Sequence, residues 1–185
     1  MKIRPTEKPG RVVVELNRRD DRLMEEIGKA PATPPFKLKE ILVPIDFSEP
    51  SLKALRYALP MAEKYGARIT LIHVIEPAFN SAEMMEPSEM IDMKSAQVKA
   101  GWQKLQALCD QVDAASVTMG SAVEVGKPFE AIVAAAKTRK ADLIIIATHG
   151  YTGLKHFFIG STAERVVRHA PCPVLTVREQ EQDLV

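Results

Sequence analysis

Apolar residues along this chain follow two rhythms. Ile41-Leu42-Val43-Pro44-Ile45, Ile69-Thr70-Leu71-Ile72-His73-Val74 and Leu143-Ile144-Ile145-Ile146 are nearly continuous apolar runs, as strands buried on both faces of a parallel sheet require. Pro44 has no N–H for a ladder bond, so the first of these strands is expected to end there. Val117, Met119, Ser121, Val123 and Val125 alternate with other residues, which predicts a strand near a sheet edge, and Val174-Leu175-Thr176-Val177 is a short final strand. Between the strands the spacing changes to that of a helix. Leu52, Leu55, Leu59 and Ala62 follow Ser48 as a cap and stop at Gly66. A second helix runs from about Ile91 through Val98, Trp102 and Leu105 to Cys109. A third opens at Gly126-Lys127-Pro128 with Phe129, Ile132, Val133 and Ala136 inward, Pro128 taking a favourable first position. The fourth, over 161–170, carries Ala163, Val166, Val167 and Ala170 and breaks at Pro171-Cys172-Pro173.

The alternation of strand and helix predicts an α/β domain: a five-stranded parallel sheet with helices on both faces. With the most apolar strands central and right-handed crossovers, the strand order is 3-2-1-4-5. Strands 1 and 4 are then neighbours at the switch point, where such sheets bind ligands at the strand carboxyl ends. Residues 76–90, with Pro77, Asn80, Ser81 and Pro87, read as a loop near that edge that is mobile without ligand. The domain spans 37–178, followed by a tail at 179–185. Residues 1–36 form an extension, holding Pro5, Pro9, Pro31, Pro34 and Pro35 near its ends. Within it Arg11 to Leu16 reads as a short strand, Leu16, Leu23, Met24 and Ile27 have helical spacing, and residues 30–35 read as a linker. The extension either packs on the domain or a partner chain, or is a loosely ordered tail.

Composition narrows the function classes. The chain has 185 residues, 46% apolar and 26% charged, enough for one packed domain. A formal charge of +1 argues for neither nucleic acid nor a membrane surface as partner. No apolar run approaches the ~18 residues of a membrane span, and the N-terminus lacks the apolar core of a signal peptide. Cys109 and Cys172 have no metal-type spacing, so a soluble cytoplasmic protein with reduced thiols is expected.

The candidate chemistry lies between the fourth strand and its helix, in Ala147-Thr148-His149-Gly150 through Gly160-Ser161-Thr162. The first amides of a helix have no intrahelical acceptor, and the macrodipole adds about half a positive charge there. Glycines allow close backbone approach, and the hydroxyls of Ser161 and Thr162 add donors, so the loop is read as a phosphate cradle. A plain helix start is the alternative. Asp46 is either a ligand for a ribose or base edge or a turn residue capping the following helix. Val74 and Ile146, read as the ends of neighbouring strands, are walls against a base or simply core. The loop is neither a P-loop nor a Gly-x-Gly-x-x-Gly turn. His149, His156 and His169 are too widely spaced for a compact metal set, and Lys155 is read as a solvated lysine.

These motifs resemble the universal stress protein family. The resemblance covers about 38–178 and rests on Ile41 to Ser48, Leu71-Ile72-His73-Val74, Thr148-His149-Gly150-x9-Gly160-Ser161 and Ala163 to Leu175. It implies the adenine nucleotide alpha hydrolase-like fold. ATP-binding members share Gly-x2-Gly-x9-Gly-Ser/Thr; here Gly150, Gly160 and Ser161 match, while Ala147 replaces the first glycine. The resemblance implies that Pro44, Ile45, Asp46 and Val74 contact the adenosine side, and that Ile146, Ala147, Gly150, Gly160, Ser161 and Thr162 complete the pocket. It implies ATP with Mg as ligand, with AMP or cyclic AMP as alternatives, and a homodimer formed through the C-terminal edge strand.

Three functions compete. The first is a nucleotide-binding regulatory protein with little or no hydrolysis, because no evident base is placed to activate a water. The second is a nucleotide-independent, dimeric interaction module, which Ala147 favours. A nucleotidyl-transferring enzyme is the third, and it lacks both a phosphate-gripping motif and a second substrate site.

Overall fold

The computed structural model describes residues 2–5, 12–15, 37–77, 87–112, 116–148 and 160–178, with the backbone alone for 2–5, 12–15 and 87–90. The chain divides into two units, Met1–Phe36 and Lys37–Val185. In the first, β1 (Lys2–Pro5) pairs antiparallel with β2 (Val12–Glu15), in register from Lys2↔Glu15 to Pro5↔Val12. A strand was expected over 11–16; its partner was not, since four residues of mixed character carry no readable period. The helical spacing over 16–27 and the linker at 30–35 lie outside the described residues.

In the second unit the strands are β3 (Glu40–Pro44), β4 (Arg68–Ile75), β5 (Met119–Val125), β6 (Leu143–Ala147) and β7 (Val174–Val177). They form one sheet in the order β5-β4-β3-β6-β7, every pair parallel, which is the order expected from the sequence. Four helices are described: α1 (Glu49–Tyr65), α2 (Pro87–Gln111), α3 (Pro128–Arg139) and α4 (Ser161–His169).

Side-chain alternation along each strand sorts the core into two layers. Ile41, Val43, Ile45, Ile69, Leu71, Leu143 and Ile145 pack with Ala54, Leu55, Ala58 and Ala62 of α1 and Leu105 of α2. Leu42, Ile72, Ala122, Ile144 and Ile146 pack with Ile132 and Ala136 of α3 and Ala163 and Val166 of α4. Thus α1 and α2 cover one face, α3 and α4 the other. Continuous apolar runs were needed because β3 and β6 are buried on both sides. On the edge strand β5 only Ala122 is buried, while Met119 and Val123 are partly buried against α1 and α2.

The helix ends follow the local chemistry. Ser48 caps α1 by accepting from Ser51 N–H, and Gly66 ends it at φ +64°, a left-handed conformation that a side chain would strain. α2 begins at Pro87, one turn earlier than its apolar spacing indicated. Proline lacks the N–H that a first turn leaves unbonded anyway, so Pro87 starts this helix instead of belonging to the preceding loop. The remainder of the expected mobile segment, 78–86, lies outside the described residues.

Candidate functional site

The site arises where two central strands part company. β3 and β6 are in register only at Ile41↔Leu143 and Leu42↔Ile144, although both strands continue further. Below, the Asp142 carboxylate accepts from the N–H groups of Lys39 and Glu40 at 2.8 and 3.0 Å and holds the strands together. Above, Pro44 supplies the reason for the split. Ile45 N–H donates to Ile72 O of β4 at 2.8 Å, so by alternation residue 44 presents its backbone to β6. The donor missing from Pro44 is therefore missing on the β6 side, and the crevice opens there.

A cavity of about 290 Å³ occupies this crevice at the carboxyl ends of the strands. Its walls come from Pro44, Ile45 and Asp46 after β3, Ile72, Val74 and Glu76 of β4 and beyond, and Ile146, Ala147 and Thr148 of β6 and beyond. Helix starts complete it: Ser51 of α1, Pro128 and Ile132 of α3, and Gly160, Ser161, Thr162 and Ala163 of α4. Of the residues expected at the site, Pro44, Ile45, Asp46, Val74, Ile146, Ala147, Gly160, Ser161 and Thr162 converge here, while Gly150 lies outside the described residues. Val74 and Ile146 do not end neighbouring strands; β3 stands between them, and they wall the cavity from its two sides. Ser51, Ile72, Glu76, Pro128, Ile132 and Ala163 were missed as lining residues. Ile72 shares the side of β4 that Val74 occupies, so alternation was the available signal.

One side of the cavity is an electropositive helix end. α4 has Gly160 as its N-cap, with no side chain bonding its first amides. Gly160 N–H donates to Thr148 O at 2.7 Å, which ties the start of α4 to the residue that follows β6. A Cβ at position 160 would sit 2.9 Å from that same carbonyl, so only glycine allows so close an approach. Thr148 is itself anchored by its N–H to Val177 O at 2.9 Å and is 3% exposed.

The opposite side carries acceptors. Asp46 Oδ1 accepts from Ser48 N–H at 3.0 Å and from the Ser48 hydroxyl, so Asp46 is the turn residue before α1, while the cap itself is Ser48, and Asp46 also lines the cavity. Phe47, between them, has φ +65°, a conformation that costs a non-glycine residue on the order of 1–3 kcal/mol. Beyond the last β3–β4 pair, Pro44↔Ile72, the backbone of Val74 faces the β3 side. Ala147 lies on the strand face of Leu143 and Ile145, and its methyl packs with the α1-side core even as the residue borders the cavity.

The histidines and cysteines fall elsewhere. His169 donates Nδ1–H to Arg165 O within α4 at 2.9 Å, and His149 and His156 lie outside the described residues. Among the described residues no three His, Cys, Asp or Glu side chains gather as a metal set. Burial, with Asp142 nearby, raises the Cys172 thiol above its ordinary range, against a lowering hydrogen bond with the Ile144 backbone. Burial and Asp110 raise that of Cys109. No described helix is long and apolar enough to cross a membrane.

Comparison with known proteins matches residues 37–178 to the model of the universal stress protein family. The chain is 32% identical over 152 residues to the universal stress protein MJ0531 of Methanocaldococcus jannaschii, covering 78% of this chain and 85% of that one. It is 34% identical over 150 residues to a universal stress protein of Thermus aquaticus, covering 76% and 98%. Among solved structures, MJ0577 superposes with a TM-score of 0.70 at 28% identity, over 80% of this chain and 100% of that one. Sheet order, crevice and sequence agree, and the chain belongs to the universal stress protein family.

Proposed function

We propose that this protein binds an adenine nucleotide, ATP in preference, in the cavity between β3 and β6, and acts as a homodimeric regulatory protein with little or no hydrolysis. The observation that carries this reading is the polarity of the cavity. Apolar strand ends lie on one side and the uncapped N-terminus of α4 on the other, bordered by the hydroxyl residues Ser161 and Thr162. A base fits against Val74 and Ile146. The N–H and C=O of Val74 complement the acceptor N1 and donor N6 of adenine, Asp46 accepts from a ribose hydroxyl, and phosphates face Gly160, Ser161 and Thr162. At about 290 Å³ the space suits a nucleoside, near the lower end of the ~300–1,000 Å³ usual for ligand pockets. The polyphosphate then extends to the α4 start, and Mg enters with it as counter-ion.

Two proteins of the same fold are described as complexes, a universal stress protein with cAMP and an Arabidopsis thaliana family member with AMP. At 22% and 20% identity the likeness is one of fold, and the reading rests on the cavity. Binding is favoured over turnover because Asp46 Oδ1 is engaged by Ser48 in the turn before α1. β7 supports the dimer: it pairs with β6 at one edge of the sheet, and its residues Val174 to Thr176 are only half-buried.

Two measurements test the proposal. Protein purified without added ligand should release adenine nucleotide on denaturation, or should bind Mg-ATP in calorimetric titration. Absence of both, with AMP and cyclic AMP also inert at millimolar concentration, leaves the nucleotide-independent interaction module. A monomer in sedimentation at micromolar concentration removes the dimer.

A further inference from the structure

His73 does not line the cavity, yet its ring is held from several directions. Phe47 tilts against it with ring centroids 4.7 Å apart, and Lys104 of α2 stands 5.4 Å over the Phe47 ring. Gly101 of α2 comes so close that a Cβ there would lie 3.1 Å from His73 Cδ2. Val123, in register with His73 on β5, would meet the same Cβ at 3.4 Å. The imidazole thus has one position. In that position Nδ1 lies 2.8 Å from Ile45 O, and because a carbonyl only accepts, Nδ1 carries the proton.

That hydrogen bond replaces a backbone one. Ile45 N–H donates to Ile72 O, and in a parallel ladder the Ile45 carbonyl on the same edge would next accept from the N–H of Val74. The ladder stops instead at Pro44↔Ile72, with the side chain of His73 taking the carbonyl. The consequence bears on the cavity, since Ile45, Asp46 and Val74 all line it. With Ile45 O taken, β3 and β4 do not zip one step further, and the backbone edge of Val74 stays open to a ligand.

Resting on the nucleotide reading above, we infer that His73 is a positioning residue of this site, which withholds the Ile45 carbonyl from Val74 N–H and so keeps the base-binding edge of β4 available. His73→Phe keeps a ring against Phe47 and Gly101 but has no donor. His73→Asn restores a donor close to the place of Nδ1 without the ring. Mg-ATP affinity should fall in His73→Phe by roughly 2- to 13-fold, the span of one net hydrogen bond, and return to that of the parent in His73→Asn. Amide exchange at Val74 in ligand-free protein reads the inference without nucleotide. It should be fast in the parent and in His73→Asn, and slowed in His73→Phe as Val74 N–H bonds to Ile45 O. Parent-like affinity and exchange in His73→Phe, or a His73→Asn as weak as His73→Phe, overturns the role of His73. If His73→Phe does not fold, slow Val74 exchange in the parent overturns it equally. A parent that binds no nucleotide defeats the functional reading, and the Val74 exchange then still decides whether the imidazole holds the strands apart.

Discussion

Gly160 is the position where the smallest perturbation has a calculable effect. Gly160→Ala adds one methyl group, placed by the backbone 2.9 Å from Thr148 O, whereas ordinary contacts begin at 3.4 Å. The carbonyl has little freedom to retreat, because Thr148 is buried and tied to Val177 O of β7. The start of α4 must therefore withdraw by about half an ångström. That stretches the Gly160 N–H to Thr148 O bond from 2.7 Å to beyond 3 Å. Weakening that bond costs up to about 1.5 kcal/mol of stability, or up to roughly 6 °C in Tm for a domain of this size. The effect on ligand is larger, since phosphate bonds to helix-start amides are charge-assisted, at about 1.5–3 kcal/mol each. Misplacing two of them partially should weaken Mg-ATP by at least tenfold, and Gly160→Val, bulkier still, should abolish binding while the sheet remains folded. Ser161→Ala is the companion, losing one side-chain hydrogen bond to a charged group and about 10- to 150-fold in affinity, with Tm unchanged. Calorimetric titration and thermal melts on the three variants provide the measurement. Gly160→Ala binding within twofold of the parent at unchanged Tm would refute both the crowding at Thr148 O and the placement of phosphate at the α4 start.

Three further outcomes are expected. Ala147→Gly should bind Mg-ATP at least as tightly as the parent, since its methyl packs toward the α1-side core, but should lose about 1–2 kcal/mol of stability through backbone freedom and a lost methyl contact; clearly weaker binding would show that the alanine shapes the pocket. Pro44→Val restores an N–H on the edge facing β6, so it should lengthen the β3–β6 ladder, narrow the cavity and weaken nucleotide binding without loss of Tm; unchanged affinity would mean that something other than Pro44 parts the strands. Cys109 and Cys172, whose thiols burial pushes up, should react with a disulfide reagent more slowly than free cysteine at pH 8. Their rates should climb as the pH rises above the ordinary thiol range, because only the thiolate attacks; fast labelling at pH 7 in folded protein would contradict this.

Much of the architecture was legible in the chain because burial on two faces and burial on one leave different patterns. β3 from Ile41 onward and all of β6 lie inside two helical layers and must be apolar there, while β5 and β7 sit at edges and need not be. Gly66, Ser48 and Pro128 marked helix ends through chemistry that acts over one turn, so they were readable locally. The glycine and hydroxyl residues at 160–162 announced a helix start for the same reason. Pro87 shows where local reading fails: proline serves a loop and a first helical turn equally well, and only the continuation of α2 decides between them. β1 was invisible because four residues have no period and acquire a partner only by pairing with β2.

What the tertiary structure alone decided is the direction in which each backbone group faces. That Pro44 lacks a donor is plain from its identity. That the lack falls on the edge toward β6, and so opens a crevice at the switch point, depends on register with β4. Ile72, Ile132 and Ala163 entered the cavity for a related reason, since they meet only when β4, α3 and α4 are stacked on one face. The same holds for His73, whose bond to Ile45 O joins residues 28 apart. Hydrophobic period is a property of one segment, and one segment suffices to reveal it; a hydrogen bond between segments is set by their relative register, which no single segment contains.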